Sequence, residues 1–141
     1  MLEISTDNRR LDFDLIYRYL AEESYWAKDI PRKIVERALD YSLNFGAYLE
    51  GGQVGLARVI TDRATFAYLA DVFILEAFRG RGYGKALVKA VIDYPDLQGL
   101  RQMLLFTRDA HTLYAPFGFQ TPENPERIMI RRMVTSYSNV N

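Results

Sequence analysis

Three glycines at alternate positions, Gly80, Gly82 and Gly84, are the feature of this 141-residue sequence that most clearly suggests chemistry. An apolar stretch precedes them, and apolar residues at helical spacing follow at once. A strand, a glycine loop and a helix in this order present unpaired backbone N–H groups at a helix N-terminus, where the helix dipole also favours an anion. Glycine lets a phosphate approach the backbone closely because no Cβ intervenes. The pattern predicts a phosphate-bearing cofactor at residues 80–85.

Spacing excludes the two best-known glycine loops. A dinucleotide-binding fingerprint that starts at Gly80 needs a third glycine where this chain has Lys85. A P-loop needs Ser or Thr after its Gly-Lys pair to hold magnesium, and here Ala86 follows. In each case this chain lacks a residue that the motif needs in order to bind its ligand. A tight basic turn that only reverses the chain is the remaining alternative to a cofactor loop.

Two motifs of this chain resemble motifs of a single family. The pattern Arg-x-x-Gly-x-Gly at residues 79–84 is similar to the Arg/Gln-x-x-Gly-x-Gly/Ala loop of the GNAT superfamily of acetyl-CoA-dependent N-acetyltransferases. The pattern Ala-x-x-Leu-Tyr-x-x-x-Gly-Phe at residues 110–119 matches a second motif that these enzymes carry after an intervening strand. Two motifs in the right order and context rarely coincide. The element order also matches, so the resemblance spans most of the chain.

The resemblance implies acetyl-CoA as co-substrate. Its pantetheine arm is expected to hydrogen-bond the backbone of the strand before the loop, in the manner of an added β-strand. Its pyrophosphate is expected in the loop, where Arg79 and Arg81 would either add charge or point into solvent. The expected cofactor-binding residues are Val72, Phe73, Ile74, Arg79, Gly80, Arg81, Gly82, Tyr83, Gly84 and Lys85.

Tyr114 is the candidate general acid. Acetyl transfer from a thioester to an amine leaves a thiolate that must be protonated. A tyrosine hydroxyl, with an ordinary pKa of about 10, can give up that proton and regain it, since a thiol titrates near about 8.5. The alternative is that Tyr114 only packs in the core beside Leu113 and Phe117.

Asp71 is a candidate general base or substrate contact. It stands in a long apolar strand just before the expected pantetheine site, where an unpaired carboxylate would be costly. Members of the family often use an Asp or Glu on the central strand, or a water chain, to accept the proton of the amine. The alternative is a buried ion pair with Arg58 or another basic residue.

Aromatic residues mark the expected acceptor pocket. In the family architecture, specificity comes from the segment between the first two helices and from strands that face the thioester. Tyr25, Trp26 and Tyr68 occupy such positions and could form a slot for a primary amine, or could equally fill the core. The acceptor itself is not named by these residues.

Three positions depart from the family pattern. Thr107 stands where an Asn is common, so a two-ended amide contact to the cofactor is in doubt. Glu76 replaces a common Pro, which leaves the exit of the strand less rigid. Pro116 must shorten or distort the helix that carries Tyr114.

Composition excludes several functional classes. The formal net charge is zero, which argues against nucleic-acid binding as the main role. The chain has no Cys and a single His, so we expect no disulfide, no thiolate nucleophile and no metal. There is no signal-peptide pattern and no apolar run long enough to span a bilayer, so we expect a cytoplasmic protein without membrane contact.

The elements that position these residues form one domain over residues 1–141, with a frayed tail at 136–141. The patterns predict an edge strand, two helices, a hairpin turning at Gly51-Gly52, and a long central strand over residues 65–75. The glycine-loop helix, a strand at 102–107, a short helix capped by Asp109 and a last strand at 128–130 follow. The fold class is therefore mixed α/β. The resemblance implies a GNAT fold, with a mostly antiparallel sheet of about six to seven strands and about four helices.

The leading hypothesis is an N-acetyltransferase that transfers the acetyl group of acetyl-CoA to an amine by direct attack in a ternary complex. The absence of Cys leaves no thiol to carry an acyl group. The alternative is a non-catalytic acyl-CoA sensor with the same fold. The expected partners are a small-molecule or protein amine and, by analogy with family members that dimerise through their last strands, a second copy bound through residues 128–133.

Overall fold

Five strands form a single sheet in the order β1-β2-β3-β4-β5. In this computed structural model, which describes residues 1–139, the strands are β1 Glu3–Ser5, β2 Leu43–Leu49, β3 Gly52–Thr61, β4 Phe66–Ile74 and β5 Gln102–Leu105. The helices are α1 Phe13–Arg18, α2 Arg32–Asp40, α3 Tyr83–Asp93 and α4 His111–Tyr114. All neighbouring strands are antiparallel except β4 and β5, which are parallel. The predicted mixed α/β class is confirmed.

The first two helices start at residues suited to a helix N-terminus. Asp12 caps α1, and its Oδ1 accepts the N–H of Leu15 at 3.2 Å. Pro31 precedes α2, where its missing N–H costs no hydrogen bond. The helix that starts at Phe13 widens into a single π-helical turn over Tyr19–Glu23, which the sequence pattern does not reveal.

The β2–β3 hairpin turns one residue earlier than predicted. Leu49 pairs with Gly52, so the two connecting residues are Glu50 and Gly51, with φ values of 49° and 84°. Positive φ at both positions is the turn that matches the twist of the flanking strands. Gly52 is already the first residue of β3. The prediction was wrong by one residue because Glu50 adopts a left-handed conformation that its residue type disfavours.

The sheet separates two apolar layers. On one face α3 inserts Leu87, Val88 and Val91, all fully buried, against β2, β3 and β4. On the other face α1, the π-helical turn and α2 pack against Leu56 and Phe73. Burial on both faces explains why β3 and β4 are almost continuously apolar.

The closing strands are absent from residues 1–139, so the sheet has five strands instead of six or seven. Residues 128–130 lie in extended chain without strand pairing, and Ile128 and Ile130 remain 42% and 54% exposed. Three apolar residues flanked by arginines lack the alternation that would bury one face of a strand. The predicted strand at 128–130 was wrong for this reason, and β5 is an edge of the sheet.

The tail predicted at 136–141 is described only in part. Residues 140 and 141 lie outside the described residues. Tyr137–Asn139 form a 3-10 turn, and the Tyr137 side chain packs against the apolar layer on the α1 and α2 face. The single-domain assignment for residues 1–141 stays a prediction.

Candidate active site

A cleft opens where β4 and β5 part. The two strands pair only from Phe66 and Gln102 to Leu69 and Leu105. β5 then ends, whereas β4 continues to Ile74. The second half of β4 therefore has no β5 partner, and it lines a cavity of about 990 Å³ together with the chain that follows β5. This volume lies in the range of small-molecule and cofactor sites.

A β-bulge shapes the wall of this cleft. Arg58 pairs with Ala70 and Leu56 pairs with Phe73, so Asp71 and Val72 together oppose a single residue of β3. Asp71 adopts a φ of 43°, a left-handed value that costs a residue with a Cβ. The bulge redirects the Asp71 side chain toward the loop that precedes α2.

The Asp71 carboxylate is fully engaged by two neighbours. Its Oδ2 accepts a hydrogen bond from Arg58 Nε at 2.6 Å, and the two side chains are only 10% and 15% exposed. Its Oδ1 accepts a hydrogen bond from Trp26 Nε1 at 2.7 Å. Arg58 also donates from Nη1 to Ser42 Oγ at 3.1 Å. The ion pair that the sequence offered as an alternative for Asp71 is therefore present.

The start of α3 lies at this cleft and leaves backbone N–H groups without an acceptor among the described residues. Gly82 caps the helix with a φ of 82°, which glycine adopts without strain. Within the described chain, the N–H groups of residues 82–85 meet no acceptor, because the first hydrogen bond of the helix is donated by Ala86 to the Gly82 carbonyl. Four unsatisfied N–H groups at the positive end of an eleven-residue helix attract a phosphate.

The basic residues of the loop point elsewhere. Arg79 folds back, with Nε donating to the Ile74 carbonyl at 2.9 Å and Nη2 to the Tyr19 hydroxyl at 2.9 Å. Arg81 lies over the Phe78 ring, 5.5 Å from its centroid. Lys85 is exposed on the first turn of α3. Backbone N–H groups rather than these cations therefore define the anion site in this conformation.

Tyr114 also lines this cavity. It is 8% exposed, packs edge-on against Phe119 at 5.9 Å between ring centroids, and lines the cavity. Burial, with a smaller contribution from the nearby Tyr25, raises the pKa of Tyr114 to about 12. The hydroxyl donates to no other group of residues 1–139, so its proton is available to a ligand.

Thr107 supports the helix that carries Tyr114. Its Oγ1 accepts the N–H of Ala110 at 2.9 Å, and Ala110 is the residue that precedes α4. The predicted Asp109 cap was wrong, since Ala110 is the residue at the start of α4 and no side chain caps the helix there. Pro116 lies in the 3-10 turn Ala115–Phe117 that ends α4 after four residues.

Aromatic rings form the remaining wall. Tyr25 and Trp26 meet edge to face at 5.2 Å, and Tyr68 and Phe106 do so at 5.8 Å. Burial, together with the nearby Asp71, raises the pKa of Tyr68. All three aromatic residues predicted at the acceptor pocket therefore line one cavity.

Most of the predicted site residues meet in this cavity. Its lining includes Tyr25, Trp26, Tyr68, Asp71, Val72, Phe73, Ile74, Arg79, Gly80, Gly82, Tyr83, Gly84 and Tyr114. Arg81 and Lys85 do not line it. The sequence reasoning missed Tyr19, Phe106 and Arg108. For Phe106 and Arg108 a signal existed, because they follow the carboxyl end of a parallel strand, where ligands commonly bind. Tyr19 gave none.

Two further properties concern the described residues alone. Residues 1–139 contain no group of three His, Asp or Glu side chains arranged to hold a metal ion. None of the helices between residues 1 and 139 has the length and apolar content needed to cross a bilayer.

Comparison with known proteins assigns the class. Residues 10–119 match the model of the Acetyltransferase (GNAT) family. A candidate acetyltransferase of Gibberella zeae, FG08082, is 35% identical over 133 residues, which cover 79% of this chain and 74% of that protein. The chain therefore belongs to the GNAT acetyltransferase family.

Solved structures agree with this fold. A crystal structure of a candidate GNAT-family acetyltransferase from Xanthomonas campestris pv. campestris is 54% identical, with a TM-score of 0.95 over 99% of this chain and 98% of that one. The aminoglycoside N-acetyltransferase AAC(6')-Iy in complex with CoA is 22% identical, with a TM-score of 0.65 over 94% of this chain and 95% of that one. At that identity the second likeness shows the fold alone.

Proposed function

We propose that the protein is an acetyl-CoA-dependent N-acetyltransferase that acetylates an amine by direct attack in a ternary complex. One observation carries the proposal. The start of α3 with its unsatisfied N–H groups, the unpaired half of β4 and Tyr114 all line the same cavity. A phosphate-bearing thioester and a proton donor would thus be held in one cleft.

The residues present fit acetyl-CoA. The N–H groups of residues 82–85 suit a pyrophosphate, and no atom lies within 4 Å of the place where a Cβ would stand at Gly80 or Gly82. The backbone of Val72, Phe73 and Ile74 borders the cleft and suits the amides of a pantetheine arm. Bound here, acetyl-CoA would supply an activated acyl group. Arg79, Arg81 and Lys85 would add charge only by changing conformation.

Tyr114 is proposed as the general acid. With its pKa raised to about 12, its Oη keeps the proton throughout the physiological range. Its burial on the short helix α4 fixes the position of the Oη atom. The chain contains no Cys, which supports direct transfer over a thiol-linked acyl enzyme.

Asp71 remains the candidate base, but its contacts favour another role. Because each carboxylate oxygen already accepts a hydrogen bond, taking up a proton would break the contact with Arg58 or Trp26. We propose that Asp71 positions Trp26 at the acceptor pocket. A water chain can then carry the proton of the amine away.

A homodimer is also proposed. Ile128, Met129 and Ile130 are exposed at 42%, 95% and 54%, which is unusual for neighbouring apolar residues. Analytical ultracentrifugation of the wild-type chain and of the Met129→Asp variant tests this assembly. A monomer at micromolar concentration in the wild type would contradict it.

The test of the proposed function is release of free thiol from acetyl-CoA in the presence of a broad amine panel. Turnover with at least one amine, together with thermal stabilisation by CoA, supports an enzyme. Stabilisation by CoA without turnover of any amine would favour the acyl-CoA sensor instead. Absence of CoA binding would overturn both.

A further inference from the structure

The acceptor end of the cavity has an aromatic lining. Contacts run in series along one wall, from Asp71 to Trp26 at 2.7 Å, from Trp26 to Tyr25 at 5.2 Å, and from Tyr25 to Arg108 at 3.8 Å. The wall therefore begins at the β4 bulge and ends at Arg108. An acceptor with an apolar or planar body can lie along these rings.

The charged side chains at the β4 end of this wall leave a hydrogen-bond donor unused. Asp71 is neutralised by Arg58 and holds a second hydrogen bond from Trp26. The Nη2 group of Arg58 meets no acceptor in the described part of the chain, although the residue lines the cavity. The bulge thus presents a donor rather than a free carboxylate.

Arg108 adds a second donor at the far end. Its guanidinium carbon stacks 3.8 Å from the centroid of the Tyr25 ring, and the backbone N–H of Arg108 donates to the Tyr25 hydroxyl at 3.2 Å. Its nearest carboxylate, on Asp109, is 3.7 Å away, which is too long for a hydrogen bond. Stacking on an aromatic face leaves the N–H edge of a guanidinium open to a planar carboxylate.

A polycationic acceptor does not match this arrangement. The exposed carboxylate of Asp109 is the only acidic group lining the cavity, among residues 1–139, that is not already held by an ion pair with hydrogen-bond geometry. Arg132 also lines the cavity. A second ammonium group would meet lining arginines that outnumber the lining carboxylates, and like charges in a partly desolvated site repel.

We propose that the acceptor is an amine that carries a carboxylate on the same molecule, with an apolar body between or beside the two groups. The inference rests on the proposed N-acetyltransferase function. The carboxylate is bound by Arg108 where this side chain stacks on Tyr25, and the amine is held away from it, toward the β4 bulge. Arg108 is a residue that determines specificity.

The experiment compares amines in matched pairs. Phenylalanine and phenethylamine differ only in the carboxylate, as do 5-aminopentanoate and butylamine, and spermidine serves as the polycation. Thiol release is measured at saturating acetyl-CoA. In at least one pair the zwitterion should have a kcat/KM at least tenfold higher than its partner and than spermidine. Equal or faster turnover of the amines that lack a carboxylate would overturn the proposal.

Two variants test whether Arg108 causes the preference for the zwitterion. Arg108→Gln should raise the KM for the preferred zwitterion about tenfold or more and leave its kcat nearly unchanged. The ratio of kcat/KM for the zwitterion to kcat/KM for its partner amine should then fall toward one. Arg101→Gln is the matched control, because Arg101 is an exposed arginine just before β5 that does not line the cavity. Equal effects of the two variants would contradict the assignment.

A binding measurement separates this inference from the proposed function. Trp26 is the single tryptophan of the chain and lies in the wall, so its fluorescence reports an acceptor without any turnover. Titrations of the same pairs without acetyl-CoA should show tighter binding of a zwitterion, and Arg108→Gln should abolish the difference. If no amine is acetylated but this preference is found, the proposed function fails and the recognition stands. If no preference is found, the recognition fails whatever the activity.

Discussion

Arg58 Nε donates a 2.6 Å hydrogen bond to Asp71 Oδ2 at the one place where β4 bulges away from β3. The pair stabilises a backbone that is otherwise unfavourable, because Asp71 has a φ of 43°. It also connects the sheet to Trp26, which lies in the loop before α2. One ion pair therefore holds together the bulge that lines the cleft and the loop that brings Trp26 to the same cavity.

Breaking this pair from one side should be costly. Asp71→Asn would leave the guanidinium of Arg58 largely buried without its counter-charge, and we expect the free energy of unfolding to fall by about 3 kcal/mol. The double variant Asp71→Asn with Arg58→Met should recover part of that loss, because no unpaired charge remains. Urea unfolding of the wild type and the variants measures both values. A single variant as stable as the wild type would show that the pair contributes nothing.

Gly82→Ala tests the anion site. A side chain at a φ of 82° costs about 1–2 kcal/mol, and relief of that strain would turn the N–H groups at the start of α3 away from the cleft. We expect the Kd for CoA, measured by calorimetry, to rise at least tenfold. Gly99→Ala is the matched control. Gly99 has a φ of 77°, also with no atom within 4 Å of a Cβ, and it lies outside the cavity. The control should lose similar stability and keep its affinity for CoA.

Tyr114→Phe tests the proton donor. Removing the hydroxyl should lower kcat by a factor of about 100 or more, with little change in the Kd for CoA, since a positioned acid typically contributes that much. Pre-steady-state measurement of the acetylation step ensures that chemistry, rather than product release, is observed. Tyr41→Phe, at a tyrosine that is 85% exposed, should retain full activity. Full activity in the Tyr114 variant would exclude it as the acid.

Much of the site could be predicted because its signals are local. The spacing of Gly80, Gly82 and Gly84 directly determines a loop before a helix, and the structure places that loop at the start of α3. The pattern around Tyr114 likewise specifies a short helix and a turn that ends at Gly118, whose φ is 92°. In both places the residue types and the backbone conformation agree, so little depends on distant contacts.

The errors lie where tertiary contacts decide. Whether residues 128–130 pair with β5 depends on the path of the intervening chain, and their apolar character alone does not determine it. The partners of Arg79 are Tyr19, sixty positions away, and the Ile74 carbonyl, whereas the sequence alone left open whether this side chain adds charge to the loop or points into solvent. For Asp71 the sequence left open a base or an ion pair, and the contact with Arg58 shows the ion pair without testing the base role.

Alkaline pH should reveal the burial of Tyr114 as a loss of stability. Its pKa is raised to about 12 in the folded protein, against about 10 in an unfolded chain, so above pH 10 the folded state holds a proton that the unfolded state releases. The stability from this group is complete below pH 10 and is lost as the pH rises through 12.

Relative to Tyr114→Phe, the wild type should therefore lose about 2 kcal/mol of unfolding free energy between pH 9 and pH 12, because at pH 12 only part of the two-unit shift is expressed. Urea unfolding at stepped pH measures this difference. Burial also raises the pKa values of Tyr19, Tyr48 and Tyr68, but these groups are common to both proteins and cancel in the comparison. Tyr41→Phe should follow the wild-type curve. Parallel curves for the wild type and Tyr114→Phe would mean that the Tyr114 hydroxyl is hydrated in the folded protein and ionises with an ordinary pKa.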